Sequence, residues 1–192
     1  FANTIKGTIN IVSGLPRSGT SMMMQMLAAG GLEIFTDEKR VADENNPKGY
    51  YEHDAVKGLS NNDHRCLIKA EGRSIKVISS LLKFLPSDRQ YKIIFMQRDM
   101  NEILKSQTKM LHALNKDTGS NSDDDMQLFY QKHLHAVRQW LSQQRNMDTL
   151  YVDYKGGLEA PDEHIEAINR FLNIRPQINA MTACVDKQMR HN

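Results

Sequence analysis

The clearest chemistry in the chain sits in one stretch, Gly14-Leu15-Pro16-Arg17-Ser18-Gly19-Thr20-Ser21. The Gly-x-x-x-x-Gly spacing is that of a phosphate loop: glycine lets backbone N–H groups converge on an anion, and a following helix N-terminus favours its charge. Ser18, Thr20 and Ser21 add hydroxyls, and Arg17 adds a planar cationic fork. A nucleoside triphosphatase would place lysine at position 20 to reach the β- and γ-phosphates. Here Thr20 stands there and the cation sits at Arg17. The loop reads as an anion cradle lacking the charge that stabilises phosphoryl transfer, which disfavours a kinase or NTPase.

Such a loop needs a strand that ends at Gly14 and a helix that begins near Thr20. Thr8 to Ser13 is short, β-branched and bounded by Gly7 and Gly14, which predicts a buried strand. Thr20 to Ala29 predicts a helix stopped by Gly30-Gly31, and its run Met22-Met23-Met24-Gln25-Met26 reads as adaptable packing. Residues 36–65 are polar and predict an irregular segment with one short helix. Ser74 to Ile78 predicts a strand, Ser79 to Leu85 a helix ended by Pro86, and Tyr91 to Met96 a second strong strand. Asp99 to Leu114 predicts a helix, with Ile103, Met110, Leu111 and Leu114 near helical spacing. Asn115 to Asp125 is polar, and Asp123-Asp124-Asp125 reads as a solvated helix start, where carboxylates favour the dipole. Gln127 to Gln144 predicts a long helix with Leu128, Leu134, His135 and Leu141 inward. Leu150 to Val152 predicts a strand, and Pro161 to Leu172 a helix with proline at its favoured place. Strands alternating with helices predict an α/β, P-loop-like three-layer domain with a mostly parallel central sheet, residues 1–192 forming one domain. Ligands then belong at the carboxyl ends of the strands.

A second cation obeys that rule. Arg98 follows the apolar strand Tyr91 to Met96, and Ser106 lies two turns into the next helix. Taken alone, this stretch equally fits Arg98 paired with Asp99 or Asp153 and a solvated Ser106. Beside the first loop it predicts a second anion site. Together, Pro16 to Ser21, Phe95-Met96-Gln97-Arg98-Asp99 through Ser106, and Leu150-Tyr151-Val152-Asp153-Tyr154 with Pro161 and Phe171 to Ile174 resemble the sulfotransferases. These enzymes use 3′-phosphoadenosine 5′-phosphosulfate (PAPS). The resemblance implies that Gly14, Pro16, Arg17, Ser18, Gly19, Thr20 and Ser21 hold the 5′-phosphosulfate and that Arg98 and Ser106 hold the 3′-phosphate. It also implies that Tyr154 lies near the adenine, with adenosine 3′,5′-bisphosphate as product.

The sequence departs from the family at the base. Many cytosolic members carry a histidine just after a lysine on an early strand. Here Lys76 is kept and Ile78 stands where the histidine would fall. Asn46-Pro47-Lys48-Gly49-Tyr50-Tyr51-Glu52-His53 resembles a segment of bacterial-type members in which an acidic residue follows glycine and two aromatics. Glu52 becomes a base if those aromatics desolvate it, while histidine, as at His53, is intrinsically closer to neutrality. A Glu-His pair on a polar loop also fits plain solvated surface. Lys76 and Arg17 would stabilise the leaving bisphosphate, and positioning with charge stabilisation implies no metal. His133 and His135, two apart, face different sides of a helix and do not form a ligand pair. Met22 stands where the family has a tryptophan on the adenine. The family's C-terminal Arg-Lys-Gly segment is missing, and Arg190 is the candidate replacement cation.

Composition limits the partners. Over 192 residues, 25 Lys+Arg against 23 Asp+Glu give a formal charge of +2, too balanced for a general nucleic-acid binder. No run approaches the roughly 18 apolar residues of a membrane span. Cys66 and Cys184 form no Cys-x-x-Cys pair, and the start Phe1-Ala2-Asn3 shows no signal-peptide pattern, which together lead us to expect a cytoplasmic protein. The acceptor is expected to be a small molecule or glycan. Two other readings stay open: a nucleotide or small-molecule kinase, and a nucleotide-binding relative without turnover.

Overall fold

The computed structural model describes residues 7–37, 39, 49–113, 122–174 and 177–185. Asn46-Pro47-Lys48, Leu114, residues 115–121 and Arg190 therefore lie outside the described residues. Five strands, β1 (Thr8–Gly14), β2 (Ile34–Phe35), β3 (Ser74–Lys76), β4 (Gln90–Gln97) and β5 (Met147–Asp153), form one sheet in the order β2-β3-β1-β4-β5. Every pairing is parallel, with Ile11 opposite Ile75 on one side and Ile93 on the other. The helices are α1 (Thr20–Ala29), α2 (Arg65–Lys69), α3 (Met100–Ala113), α4 (Asp123–Leu141), α5 (Tyr154–Glu159), α6 (Pro161–Leu172) and α7 (Ile178–Ala183).

The sheet is covered on both faces, which is why its central strands read as unbroken apolar runs. β1 is buried at every position. Alternation along the strands divides the side chains between two cores. Ile9, Ile11, Ile93 and Phe95 face one core with Val77, Leu82 and Leu141. Val12, Ile94, Met96 and Val152 face the other, against the methionines of α1 and Ile165, Ile168 and Leu172 of α6. Each fully buried side chain of this size contributes about 1.5–3 kcal/mol, so β1 and β4 form the most strongly anchored part of the sheet. β1 and β4 are neighbours, yet the chain leaves β1 toward the β3–β2 edge and leaves β4 toward β5. That reversal opens a crevice beyond their carboxyl ends, the place where open α/β sheets bind ligands.

Several expectations need correction. Leu128 is 50% exposed and His135 is also exposed. Leu134 and Leu141 do face inward as expected, and Tyr130 and Val137 complete the stripe. The helix begins at Asp123, at the aspartates read as its start and four residues before the long helix expected from Gln127, and it is capped by Ser122, which accepts from Asp125 N. The stretch after β3 is a 3₁₀ helix, Ser79–Phe84, and a second 3₁₀ helix covers Asp54–Asn61. At eight residues (Asp54–Asn61) and six (Ser79–Phe84), both run longer than 3₁₀ helices usually do. The two-residue β2 and the six-residue α5 and α7 were not expected from sequence. The four methionines of α1 are all buried, as packing requires.

Candidate functional site

The phosphate loop is shaped by close backbone approaches. Gly14 has φ +151, and a Cβ there would lie 2.4 Å from Ser18 Oγ and 2.9 Å from the Met96 carbonyl. Gly19 has φ +99, and a Cβ there would lie 2.3 Å from the Tyr154 ring. Arg17 also takes the left-handed conformation, with φ +68. Ser18 differs from the expectation that its hydroxyl faces an anion. It is buried, its Oγ donates to Leu15 O at 2.7 Å, and its N–H donates to the same carbonyl at 3.2 Å. Both donors close the loop on itself. What the loop aims outward is the start of α1, whose first N–H groups have no partner within the helix.

The second motif meets the first directly. Arg98 Nη1 donates to the Arg17 carbonyl at 3.2 Å, and Arg17 Nε donates to Ser106 Oγ at 2.9 Å. The expected partner residues and the loop are therefore one hydrogen-bonded unit. Neither Asp99 nor Asp153 pairs with Arg98: Asp99 Oδ1 accepts from Glu102 N, and Asp153 Oδ2 accepts from Gly156 N to cap α5. The carboxylate that engages Arg98 is Glu102, one helical turn on, at 2.8 Å from Nε. Tyr154 lies under the guanidinium, 4.4 Å from ring centroid to Cζ, with its other neighbour Gly19. Burial pushes its phenol up from the ordinary range. Beside Ser18 and Arg98 lies a recess walled by Leu15, Phe95, Ile103 and Leu134.

Lys76 organises the opposite flank. It is buried at the end of β3, and its ammonium donates to Tyr50 O at 3.0 Å, Ser21 Oγ at 3.2 Å and Glu52 Oε1 at 3.3 Å. A buried ammonium is tolerated only with such partners. Ser21 in turn donates to Tyr50 O at 3.4 Å, so the start of α1, β3 and the segment bearing Glu52 are tied together. Glu52 faces this cation rather than a purely aromatic screen. Its backbone is held from β2's end, where Thr36 Oγ1 and Asp37 N donate to Glu52 O at 2.8 and 3.3 Å. His53 stacks on Phe35, 4.3 Å between centroids and 9° between planes, and its Nδ1 accepts from Ala55 N at 3.2 Å. Asp37 Oδ2 lies 3.7 Å from the same nitrogen. With an N–H directed at Nδ1, the proton of the neutral ring resides on Nε2.

Residues 9–192 match the family model described as the sulfotransferase domain. The chain belongs to the sulfotransferase family. Its fold is similar to that of retinol dehydratase in complex with androsterone and the inactive cofactor PAP, with TM-score 0.56 and 19% identity over 92% of this chain. It is also similar to the sulfotransferase domain of a Synechococcus olefin synthase, with TM-score 0.53 and 15% identity, covering 92% of this chain and 76% of that one. A mouse sulfotransferase complexed with PAP gives TM-score 0.56 at 14% identity, covering 97% of this chain and 67% of that one. At these identities the likeness is one of fold. The chain spans 64% of the length of retinol dehydratase. No curated protein matches the sequence.

As a sulfotransferase-family site, the arrangement fits a ligand carrying two anionic groups. Among the described residues, Arg17, Lys76 and Arg98 bring cations from the expected motifs, Arg138 lines the same recess as Arg98, and the two tight glycines hold the loop open where side chains would fill it. Met22 is packed in the core under α1 rather than in the crevice. Four residues escape the sequence reading. Glu102 stands at i+4 from Arg98, a spacing that signals a helical ion pair. Thr36 and Asp37 flank a strand too short to see. His133, set aside as a ligand, bonds through Nε2 to Ser79 Oγ at 2.8 Å, one residue beyond Ile78. Among the described residues, no helix is long and apolar enough to cross a membrane.

Proposed function

We propose that this protein is a PAPS-dependent sulfotransferase, its residues 1–192 acting as one domain, which sulfates a hydroxyl or amine on a small-molecule or glycan acceptor. The observation that carries the reading is the junction of the two anion motifs, Arg98 donating to the Arg17 carbonyl while Arg17 donates to Ser106. PAPS, when bound, supplies the sulfuryl group and leaves as the bisphosphate. The N–H groups at the start of α1, with Arg17, Thr20 and Ser21, bind the 5′ end. Arg98 and Ser106 bind the 3′-phosphate. Lys76, buried and already in contact with Ser21, stabilises charge where the bond to the leaving group breaks.

Glu52 is the better candidate for the proton acceptor. Its carboxylate lies in the Lys76 cluster, whereas His53 uses its Nδ1 lone pair on the Ala55 N–H and carries the neutral ring's hydrogen on Nε2. The one basic nitrogen of that ring is thus engaged by the backbone. Two cysteines far apart in sequence, with no Cys-x-x-Cys pair, support a reducing, cytoplasmic setting. Thr20 at the lysine position of NTPases supports sulfuryl over phosphoryl transfer.

The test is ligand choice followed by product detection. At a hundred times its dissociation constant, adenosine 3′,5′-bisphosphate adds about 2.7 kcal/mol, a melting shift of roughly 5–10 °C for a chain of this size. ATP with Mg²⁺ should give far less. Mass spectrometry after incubation with PAPS and pooled acceptors should show sulfated product. Equal shifts with both nucleotides would sink the reading.

A further inference from the structure

Arg98 is restrained on three sides at once. Glu102 accepts from its Nε at 2.8 Å, the Arg17 carbonyl accepts from Nη1 at 3.2 Å, and the Tyr154 ring lies against its flat face at 4.4 Å. An arginine side chain has several soft torsions, and its ordering ordinarily opposes binding. Here the ordering is built into the fold. The Arg98 side chain is only 10% exposed, while that of Glu102 is 45% exposed. Glu102 thus reaches in from α3's solvent side to meet it. Tyr154 is fixed in turn: it is buried, it opens α5 behind the Asp153 cap, and its ring occupies the space that the missing Cβ of Gly19 leaves.

We propose that Glu102 and Tyr154 are positioning residues that preset Arg98 for the 3′-phosphate, and so set the preference for 3′-phosphorylated nucleotides. This rests on the assignment of Arg98 proposed above. Glu102 acts by orientation: a carboxylate on Nε fixes the rotation of the guanidinium plane, and Tyr154 fixes its tilt. Glu102 is the main determinant, because a charge-assisted bond to an arginine is stronger and more directional than a ring contact. The adenine role that the family resemblance gives Tyr154 is then secondary, since one ring face is already committed to Arg98 and little of the residue is exposed.

Calorimetric titration with two ligands tests this: adenosine 3′,5′-bisphosphate, and adenosine 5′-phosphosulfate, which lacks the 3′-phosphate. Glu102→Ala should lose roughly tenfold affinity for the bisphosphate, about 1.4 kcal/mol, and leave the phosphosulfate within about twofold. Glu102→Gln keeps an acceptor for Nε and should restore most of the loss. Tyr154→Phe should bind both ligands normally, and Tyr154→Leu should lose the bisphosphate selectively. Arg98→Ala is the control for the underlying assignment. If it loses both ligands equally, that assignment fails and the inference with it. If Arg98→Ala is selective while Glu102→Ala binds the bisphosphate as well as or better than the parent, the assignment stands and the positioning role is overturned. Tighter binding would mean that Glu102 competes with the phosphate.

Discussion

Gly19 links the phosphate loop to Tyr154, and replacing it with alanine separates two effects. The first is conformational: Gly19 has φ +99, where an L side chain is strained by roughly 1–2 kcal/mol. The second is steric: the new Cβ would lie 2.3 Å from Tyr154 Cδ2 and 2.9 Å from Cε2, well inside contact distance. The ring cannot swing away freely, because Arg98 is stacked on it. Overpacking of this kind costs about 1–3 kcal/mol, for a total near 2–5 kcal/mol. At about 2–4 °C per kcal/mol for a chain of this length, the melting temperature should fall by roughly 4–20 °C. Gly31→Ala is the internal control, since Gly31 has φ +91 but nothing within 4 Å of its Cβ position. It should show the conformational cost alone. Thermal unfolding of both variants measures the difference. If Gly19→Ala melts within about 2 °C of Gly31→Ala, the Tyr154 contact is not as tight as argued and the coupling of loop to Arg98 loses its support.

Two further outcomes follow from named groups. Glu52→Gln should lower turnover on an aliphatic alcohol by about 10²–10⁴ with bisphosphate affinity nearly unchanged, and should spare a nitrophenol that arrives ionised; near-normal turnover on the alcohol would remove Glu52 as the base. His133 is held below its ordinary range by burial first and by the Lys83 ammonium second. Its folded state therefore binds a proton less readily than the unfolded chain, so its contribution to stability is present above the unfolded value of about 6.5 and declines as pH falls below it. The melting temperature of His133→Gln should consequently fall less than the parent's between pH 7.5 and 5.5, and parallel curves would refute that account.

What was legible in the sequence divides along the range of the interactions. β1, α1 and α6 were readable because each is specified by neighbouring residues: a β-branched run between glycines, a methionine-rich stretch ended by Gly30-Gly31, a proline at the helix start. The phosphate loop was readable for the same reason. β2 was missed because two residues carry no periodicity, and its place is set by pairing with Ser74 and Ile75, some forty positions away. The phase of α4 is not legible at Leu128, because the elements the helix packs against, α3 and the 3₁₀ helix Ser79–Phe84, select Tyr130, Leu134, Val137 and Leu141. At the site, residue types were readable but partners were not. Aspartates adjacent to Arg98 looked like its counter-ions, yet both are used as helix caps, because an Asp just before a helix gains more from unpaired N–H groups at hand.

The site's electrostatics follow from the same economy of partners. Arg17, Lys76 and Arg98 are brought to the carboxyl ends of β1, β3 and β4 by elements whose own stability lies in the apolar cores. Like charges gathered in this way would oppose folding if each stood unsupported. The structure answers each one locally: a serine for Arg17, a carboxylate with two neutral oxygens for Lys76, and a carboxylate with a carbonyl and an aromatic face for Arg98. Several of these partners are neutral oxygens or an aromatic face, and together they orient the cations. Under the proposed function, the groups that would meet an anionic ligand are in place before it arrives. Preorganisation of this kind is what makes charge stabilisation effective in a transfer reaction, since little reorientation is left for the moment of bond breaking.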